Sequence, residues 1–444
     1  MRVLSPVDLL DNDWYKFTMQ YALFHQGHAD VLVSYKMTDR KAKVDAVLKS
    51  FPINKQITVV NQLRDLLVEH SSLKWNKQDL EYIVQELRKI VKDGDDLLLE
   101  SYAKRLAEGD RVVEIKVSYD GVTPSLAVDY SGSWFDTILL EVPFLAIICE
   151  LVASHTTISL SDADILSTLE PKLEIYKSCG ANVTEFGTRR RFSQHVQFLI
   201  SQHLNESDMN PPIYTSNVFL SKKNGTLPRG TCAHEWFMFY ETLCRKENRT
   251  ATPSSINPEV LVSSIATALE SWLQVYQSIF ALTDVFTTHV FFLAYKTLSG
   301  ELQSRIQYRC DSGDELTYVE LIAKCLERVG LWVEEHLSNK EIMFSNSLNP
   351  EKVAGIQGFF EERKRVGGVC AKAFMYGVGT NFTNDLQYDS LDLVIKLYSV
   401  DGSGCGGGKS ELERKAFKLS DVEAKFTGDA SIRDSAFECV SQLG

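Results

Sequence analysis

The sequence predicts an α/β protein in which an α+β unit over roughly the first 150 of 444 residues precedes a (β/α)8-like barrel. Three observations carry this. Beyond Thr156, short β-prone segments alternate with helix-length stretches, the pattern of parallel strands joined by crossover helices. Eight such segments can be counted, at 183–191, 213–220, 230–233, 279–284, 305–311, 342–345, 373–378 and 393–400. Six of them finish in polar, glycine-containing or ionisable clusters, which a barrel gathers at its C-terminal face, where active sites sit.

Taken in order, Leu9-Leu10-Asp11-Asn12-Asp13 leads into Trp14, Phe17, Thr18, Tyr21 and Phe24 at helical spacing, and Gly27 follows as a stop signal, so a capped amphipathic helix is expected. Residues 31–36 read as a strand. Helical periodicity runs from about 57 to 106, as in Leu80, Ile83, Val84, Leu87, Ile90 and Val91, and residues 111–128 return to β-branched, turn-punctuated sequence. The domain expectation is an N-terminal α+β domain over 1–155, a barrel over 156–390 and a C-terminal segment over 391–444. The greasiest stretch, 138–149, is interrupted by Glu141 and Pro143 and falls short of a bilayer span, so no membrane association is expected. Asp401-Gly402-Ser403-Gly404-Cys405-Gly406-Gly407-Gly408 reads as a flexible turn or linker; it lacks the Lys-Ser/Thr ending of a phosphate loop.

Composition narrows the function classes. With 44% hydrophobic and 24% charged residues the chain is an ordinary globular one, and a net charge of −12 counts against a nucleic-acid binder. Any anionic ligand must then be held by local charge. Nine cysteines with no C-x-x-C pair support neither a disulfide framework nor a zinc ribbon. The N-terminus has no secretory pattern, so a cytoplasmic protein is expected, with sharing with the nucleus left open.

Four clusters carry chemistry. Strict alternation over 305–311 places Arg305, Gln307, Arg309 and Asp311 on one strand face, directed into the barrel. Arginines there need carboxylates, phosphates or hydrogen bonds, and the plain alternative is an internal ion pair from Arg309 to Asp311 or Asp284. On a strand, Arg189 and Arg191 share one face and Arg190 opposes them; such forks suit planar carboxylates and phosphates, though a basic triplet is usually a solvated edge. His234 precedes the apolar helical run Trp236, Phe237, Phe239, Tyr240 and Leu243, and therefore lies near a helix N-terminus, which favours a neighbouring anion. Gly377-Val378-Gly379-Thr380-Asn381 follows a late strand, where barrels bind phosphate through loop N–H groups.

The ordered combination resembles the nicotinate phosphoribosyltransferase family. It comprises Leu9-Leu10-Asp11-x-Asp13-x-Tyr15-Lys16-x-Thr18-Met19, Glu185-Phe186-Gly187-Thr188-Arg189-Arg190-Arg191, Gly230-Thr231-x-Ala233-His234-Glu235-Trp236, Leu282-Thr283-Asp284, Arg309-x-Asp311-Ser312-Gly313-Asp314, Phe344-Ser345-x-Ser347-Leu348 and Gly377-x-Gly379-Thr380-Asn381-x-Thr383-Asn384-Asp385. The resemblance implies a type II phosphoribosyltransferase fold, an irregular barrel packed against an N-terminal domain that the C-terminal segment partly completes. It implies a ligase-class enzyme of NAD salvage that makes nicotinate mononucleotide and pyrophosphate from nicotinate and phosphoribosyl pyrophosphate. ATP hydrolysis through a phosphohistidine drives the reaction, with Mg2+ carried on the phosphate groups and no protein side chain assigned to the metal. By the same resemblance His234 is the phosphorylated residue and, with Asp311, catalytic. Tyr15, Thr231 and Arg309 line the nicotinate pocket, with Tyr15 contributed by the partner subunit of a homodimer. Arg189, Asp311, Gly379 and Thr380 hold phosphoribosyl pyrophosphate.

Two departures stand beside these motifs: Cys310, where a polar residue is expected, and Tyr214, where glycine is usual. The tail from about 421 to 444 carries no recognisable pattern. The competing readings are a nicotinamide-specific transferase of the same fold, a catalytically silent nucleotide-binding barrel, and an aldolase-like barrel using Lys372 or Lys396, for neither of which is there a supporting motif.

Overall fold

The first helix forms over Trp14–His25 and ends where Gly27 takes a positive φ of 75°, a conformation that glycine adopts without steric cost. It is neither amphipathic nor capped by the Asp13 side chain: all its residues from Trp14 to Leu23 except Tyr15 are buried. Its polar residues are buried because they have partners. Gln20 Nε2 donates to the Phe135 carbonyl at 2.7 Å, and Lys16 Nζ lies 2.7 Å from Glu141 and 2.6 Å from Glu235. The computed structural model describes residues 8–443 apart from 93–95, 110–111, 120–124, 156–159, 231, 248–255, 387–389, 402–414 and 423–424. The glycine-rich run at 402–408 thus lies outside the described residues.

The ten described strands are β1 (Leu32–Asp39), β2 (Val113–Tyr119), β3 (Leu126–Ser133), β4 (Asn182–Glu185), β5 (Tyr214–Thr215), β6 (Ile279–Leu282), β7 (Ile306–Cys310), β8 (Glu341–Phe344), β9 (Ala373–Val378) and β10 (Leu393–Asp401). They form a four-stranded antiparallel sheet in the order β10-β1-β3-β2 and a six-stranded parallel sheet in the order β5-β4-β9-β8-β7-β6. Alternation directs Val33 and Tyr35 of β1 and Val128 and Tyr130 of β3 into one core, where the rings of Tyr35 and Tyr130 stack at 4.7 Å. The fold is therefore α/β, a barrel-like parallel domain beside an N-terminal α+β domain.

Four of the eight strand expectations are corrected. Segment 393–400 is a strand, but it runs antiparallel to β1 and not in the barrel; its run of apolar residues fits either sheet, and periodicity alone does not choose. Segment 230–233 leads straight into the helix His234–Glu247, and no strand is found in its described residues. In 183–191 the ladder stops at Glu185, and Thr188–Arg190 form a 3-10 turn, so the three arginines are not related by strand alternation. Segment 213–220 keeps only two strand residues before the helix Val218–Asn224 begins at its Asn217 cap, whose side chain accepts from the Leu220 N–H at 3.0 Å.

The apolar segment around 138–149 belongs to a longer helical stretch, Trp134–Ser154, with a mean hydropathy of 2.0 over its most apolar window, long and apolar enough by composition to cross a membrane. Inside the protein 89% of that window is buried, which makes it a core element. After β10 the chain returns across the mouth of the barrel. There the Leu419 N–H donates to the Val285 carbonyl at 2.8 Å, and Asp421 accepts from the Thr288 N–H at 2.7 Å.

Candidate active site

The C-terminal ends of β4, β7, β8 and β9 surround a cavity of about 460 Å3, and a smaller one of about 60 Å3 adjoins it. Arg189, His234, Arg309, Asp311 and Lys396 line both. The expected convergence of strand ends is thus realised around a polar, cation-rich hollow. Within it Tyr15 lines the smaller cavity with Glu141 and Arg189.

Arg309 closes one wall. Its Nε donates to Ser345 Oγ at 2.9 Å, its Nη2 reaches Asp311 Oδ1 at 3.4 Å, and its guanidinium lies 5.7 Å from the centre of the Phe186 ring. Arg309 thus pairs with Asp311 and also lines the cavity. Burial alone would raise the Asp311 pKa, but Arg309, His234 and Lys418 outweigh it and pull the carboxyl down to about 2. Arg305 does not share the lumen; it sits before β7 and donates to the carbonyls of Leu273, Tyr276 and Gln277 at the end of the helix Pro258–Val275.

The arginine triplet separates on its tight turn. Arg189 meets Glu141 at 3.3 Å, Arg190 meets Asp392 at 2.9 Å, and Arg191 makes a fully buried two-pronged pair with Asp11 at 2.7 Å on each side. Only the first two reach the cavity wall. Behind them Lys16 joins Glu141 to Glu235, whose Oε1 accepts from Trp134 Nε1 at 2.8 Å and from the Tyr35 hydroxyl. This network fixes the floor beneath Arg189. Burial would raise Glu141, but Lys16, Lys396 and Arg189 bring it down to about 2.

His234 is the first residue of its helix. Its Nε2 lies 2.9 Å from Asp284 Oδ1 and 2.7 Å from Lys418 Nζ, and Lys418 itself reaches Asp284 Oδ2 at 2.7 Å. These are alternatives for one ring nitrogen: Nε2–H donates to Asp284, or bare Nε2 accepts from Lys418. Burial first, then the Lys418 charge, lowers the imidazole to about 4 against the pull of Asp284, so the ring is neutral at pH 7.

The loop after β9 brings Gly377, Gly379 and Thr380 to the larger cavity, and Lys172 pins it by an ion pair to Asp385 at 2.8 Å and a hydrogen bond to the Asn381 carbonyl. Thr231 lies outside the described residues. Cys310 is buried on the face of β7 away from Arg309, and Tyr214 packs its ring beside the Arg229 guanidinium at 4.3 Å; neither lines the two cavities. Sequence reasoning missed the roles of Arg40, Lys396, Lys418 and Lys425 on the cavity wall. Lys418 had one readable signal: it stands between Phe417 and Leu419, and a lysine in an apolar run implies a buried cation with partners.

Two family models cover most of the chain, the nicotinate phosphoribosyltransferase N-terminal domain over residues 10–149 and the nicotinate phosphoribosyltransferase family over 181–405. A nicotinate phosphoribosyltransferase of Desulforapulum autotrophicum is 31% identical, with 95% of each chain covered, and one of Saccharomyces cerevisiae is 30% identical, covering 95% of this chain and 92% of its own length. A solved structure from S. cerevisiae matches all of both chains at a TM-score of 0.78 and 27% identity, and one from Porphyromonas gingivalis matches equally in fold at 0.77 and 24%. The ordered motifs, the cation-rich cavity and these matches together mean that the chain belongs to the nicotinate phosphoribosyltransferase family, enzymes of NAD biosynthesis.

Proposed function

We propose that the enzyme couples formation of nicotinate mononucleotide and pyrophosphate to hydrolysis of ATP through phosphate carried on His234. The observation that carries this reading is the setting of His234: a neutral ring at a helix start, on the wall common to both cavities, backed by Asp284 and Lys418. With Nε2–H donated to Asp284, the other nitrogen holds the lone pair, and the carboxylate stabilises the positive charge that the ring gains when it takes a phosphoryl group. Lys418 neutralises the arriving phosphate.

In the transfer itself the chain orients and neutralises; no covalent nucleophile is needed. Arg309 suits the carboxylate of nicotinate by its planar fork, with the Tyr15 ring beside the acceptor, which favours the acid over nicotinamide. The Thr380 loop offers N–H groups to the 5-phosphate, and Arg189 and Asp311 position the ribose and diphosphate. Among the described residues no group of three or more His, Cys, Asp or Glu could hold a metal by itself. Asp311, ionised on the cavity wall, fits Mg2+ bound mainly through phosphate oxygens, where the ion supplies charge neutralisation. A homodimer with shared active sites is part of the proposal.

The test is labelling with γ-labelled ATP and Mg2+. Acid-labile, base-stable phosphate on His234 alone is expected, and His234→Ala should lose stimulation by ATP while keeping slow, ATP-independent transfer. Phosphate on serine, or on another histidine, would refute the proposal.

A further inference from the structure

Of the five side chains common to both cavities, four have close partners: Arg189 with Glu141, His234 with Asp284, and Arg309 with Asp311. Lys396 has neither a hydrogen bond nor a close ion pair with any described residue. It projects from β10, a strand of the antiparallel sheet, and not from the barrel. The charges acting on it are Glu141 from the helix Glu141–Ser154, Arg189 from the turn after β4, Lys418 from the C-terminal crossing and Arg40 just after β1. Glu141, the one carboxylate among them, is already bound to Lys16 at 2.7 Å and Arg189 at 3.3 Å. A lysine held among like charges at a cavity wall is stabilised by an anion in the cavity.

Resting on the transferase reading, we propose that Lys396 is a further catalytic residue, which contacts the donor's diphosphate where the two cavities meet. With the acceptor in the smaller cavity and the donor in the larger, the reacting C1 carbon lies at their junction. As the pyridine nitrogen's lone pair forms the C1–N bond, the C1–O pair departs onto the diphosphate, and charge grows on the leaving oxygen on the side of the larger cavity. Lys418, Lys425 and Arg40 continue the cationic wall on that side. Of the cations that line both cavities, Lys396 is the one without a close carboxylate partner among the described residues, which leaves its charge for the departing diphosphate.

The full-length enzyme is compared with Lys396→Met and Lys396→Arg. Lys396→Met should raise the inhibition constant of inorganic pyrophosphate, and KM for phosphoribosyl pyrophosphate, roughly tenfold or more while KM for nicotinate stays within about twofold; arginine should restore most of the loss. Burial, with Arg189, Lys418 and Arg40, lowers Lys396 to about 8 against Glu141, so the donor kcat/KM of the wild type should fall above that pH and that of Lys396→Arg should not. Unchanged pyrophosphate inhibition in Lys396→Met, or a rise confined to nicotinate KM, overturns the assignment. Calorimetric binding of inorganic pyrophosphate reads the same contact without turnover, so a wild type that forms no nicotinate mononucleotide would sink the transferase reading and still decide this one.

Discussion

Lys418 Nζ lies 2.7 Å from Nε2 of His234 although 184 residues separate them in sequence, so the C-terminal crossing sets the electrostatics of the histidine. Lys418→Met should therefore raise the His234 pKa, because a facing positive charge is removed while Asp284 stays. Titration of the ring by NMR between about pH 4 and 8 checks this. A pKa that does not move would mean that burial alone keeps the ring neutral.

Two buried groups should act on stability with opposite sign. His234, depressed to about 4 from 6.5, contributes stability that is present above pH 6.5 and lost as pH falls towards 4. Glu185, raised by burial from 4.5 to about 7, contributes stability that is present below pH 4.5 and lost as pH rises towards 7. Each is worth about 3 kcal/mol at 1.36 kcal/mol per unit, so in the wild type they largely offset. Glu185→Gln should then lose stability as pH falls from 6.5 to 4, and His234→Asn should lose it as pH rises from 4.5 to 7. Urea unfolding across that range distinguishes the two slopes, and parallel profiles would exclude the pair as their source.

Of Gly377 and Gly379, only Gly377 has no room for a side chain. A Cβ at Gly377 would lie 2.4 Å from the Phe186 ring, whereas one at Gly379 would meet the Phe186 carbonyl at an ordinary 3.4 Å. Since Phe186 also lies beside Arg309, Gly377→Ala should cost about 1–3 kcal/mol in thermal or urea unfolding and weaken nicotinate binding as well. Gly379→Ala should change stability by less than about 1 kcal/mol and act, if anywhere, on the donor KM. Equal effects at the two positions would remove Phe186 from the argument.

Most of the barrel's face was legible because its chemistry sits at strand ends: Arg309 and Asp311 on β7, Ser345 after β8 and the Gly377 loop on β9 are local patterns that tertiary structure only gathers. Segment 230–233 misled because it was too short to carry a period of its own. The arginine triplet misled because the ladder ends at Glu185 and Gly187, at φ −91° and ψ 1°, leads the chain into a 3-10 turn instead of extending. The placement of Lys396 and Lys418 at the site was hidden for a different reason. They reach the site through pairings of high sequence separation, β10 with β1 and the C-terminal crossing with Val285, which no local motif encodes.

The proposed function assigns the discrimination between acid and amide to Arg309. Ser345 holds its Nε at 2.9 Å, and Ser345 in turn bonds Asp311 at 2.7 Å, so the guanidinium is oriented before any ligand arrives. An oriented fork binds a carboxylate through charge-assisted hydrogen bonds worth about 1.5–3 kcal/mol, and a carboxamide offers neither the charge nor two acceptors. Arg309→Gln should lower kcat/KM for nicotinate by about tenfold to more than a hundredfold and narrow its lead over nicotinamide. Arg309→Lys should rescue only in part, since the charge returns without the fork. The measurement is kcat/KM for both acceptors at saturating phosphoribosyl pyrophosphate, in wild type and both variants. An equal fall with nicotinate and nicotinamide would mean that Arg309 serves the Asp311 pair and the wall it builds; a fall confined to nicotinate would place the carboxylate against its fork.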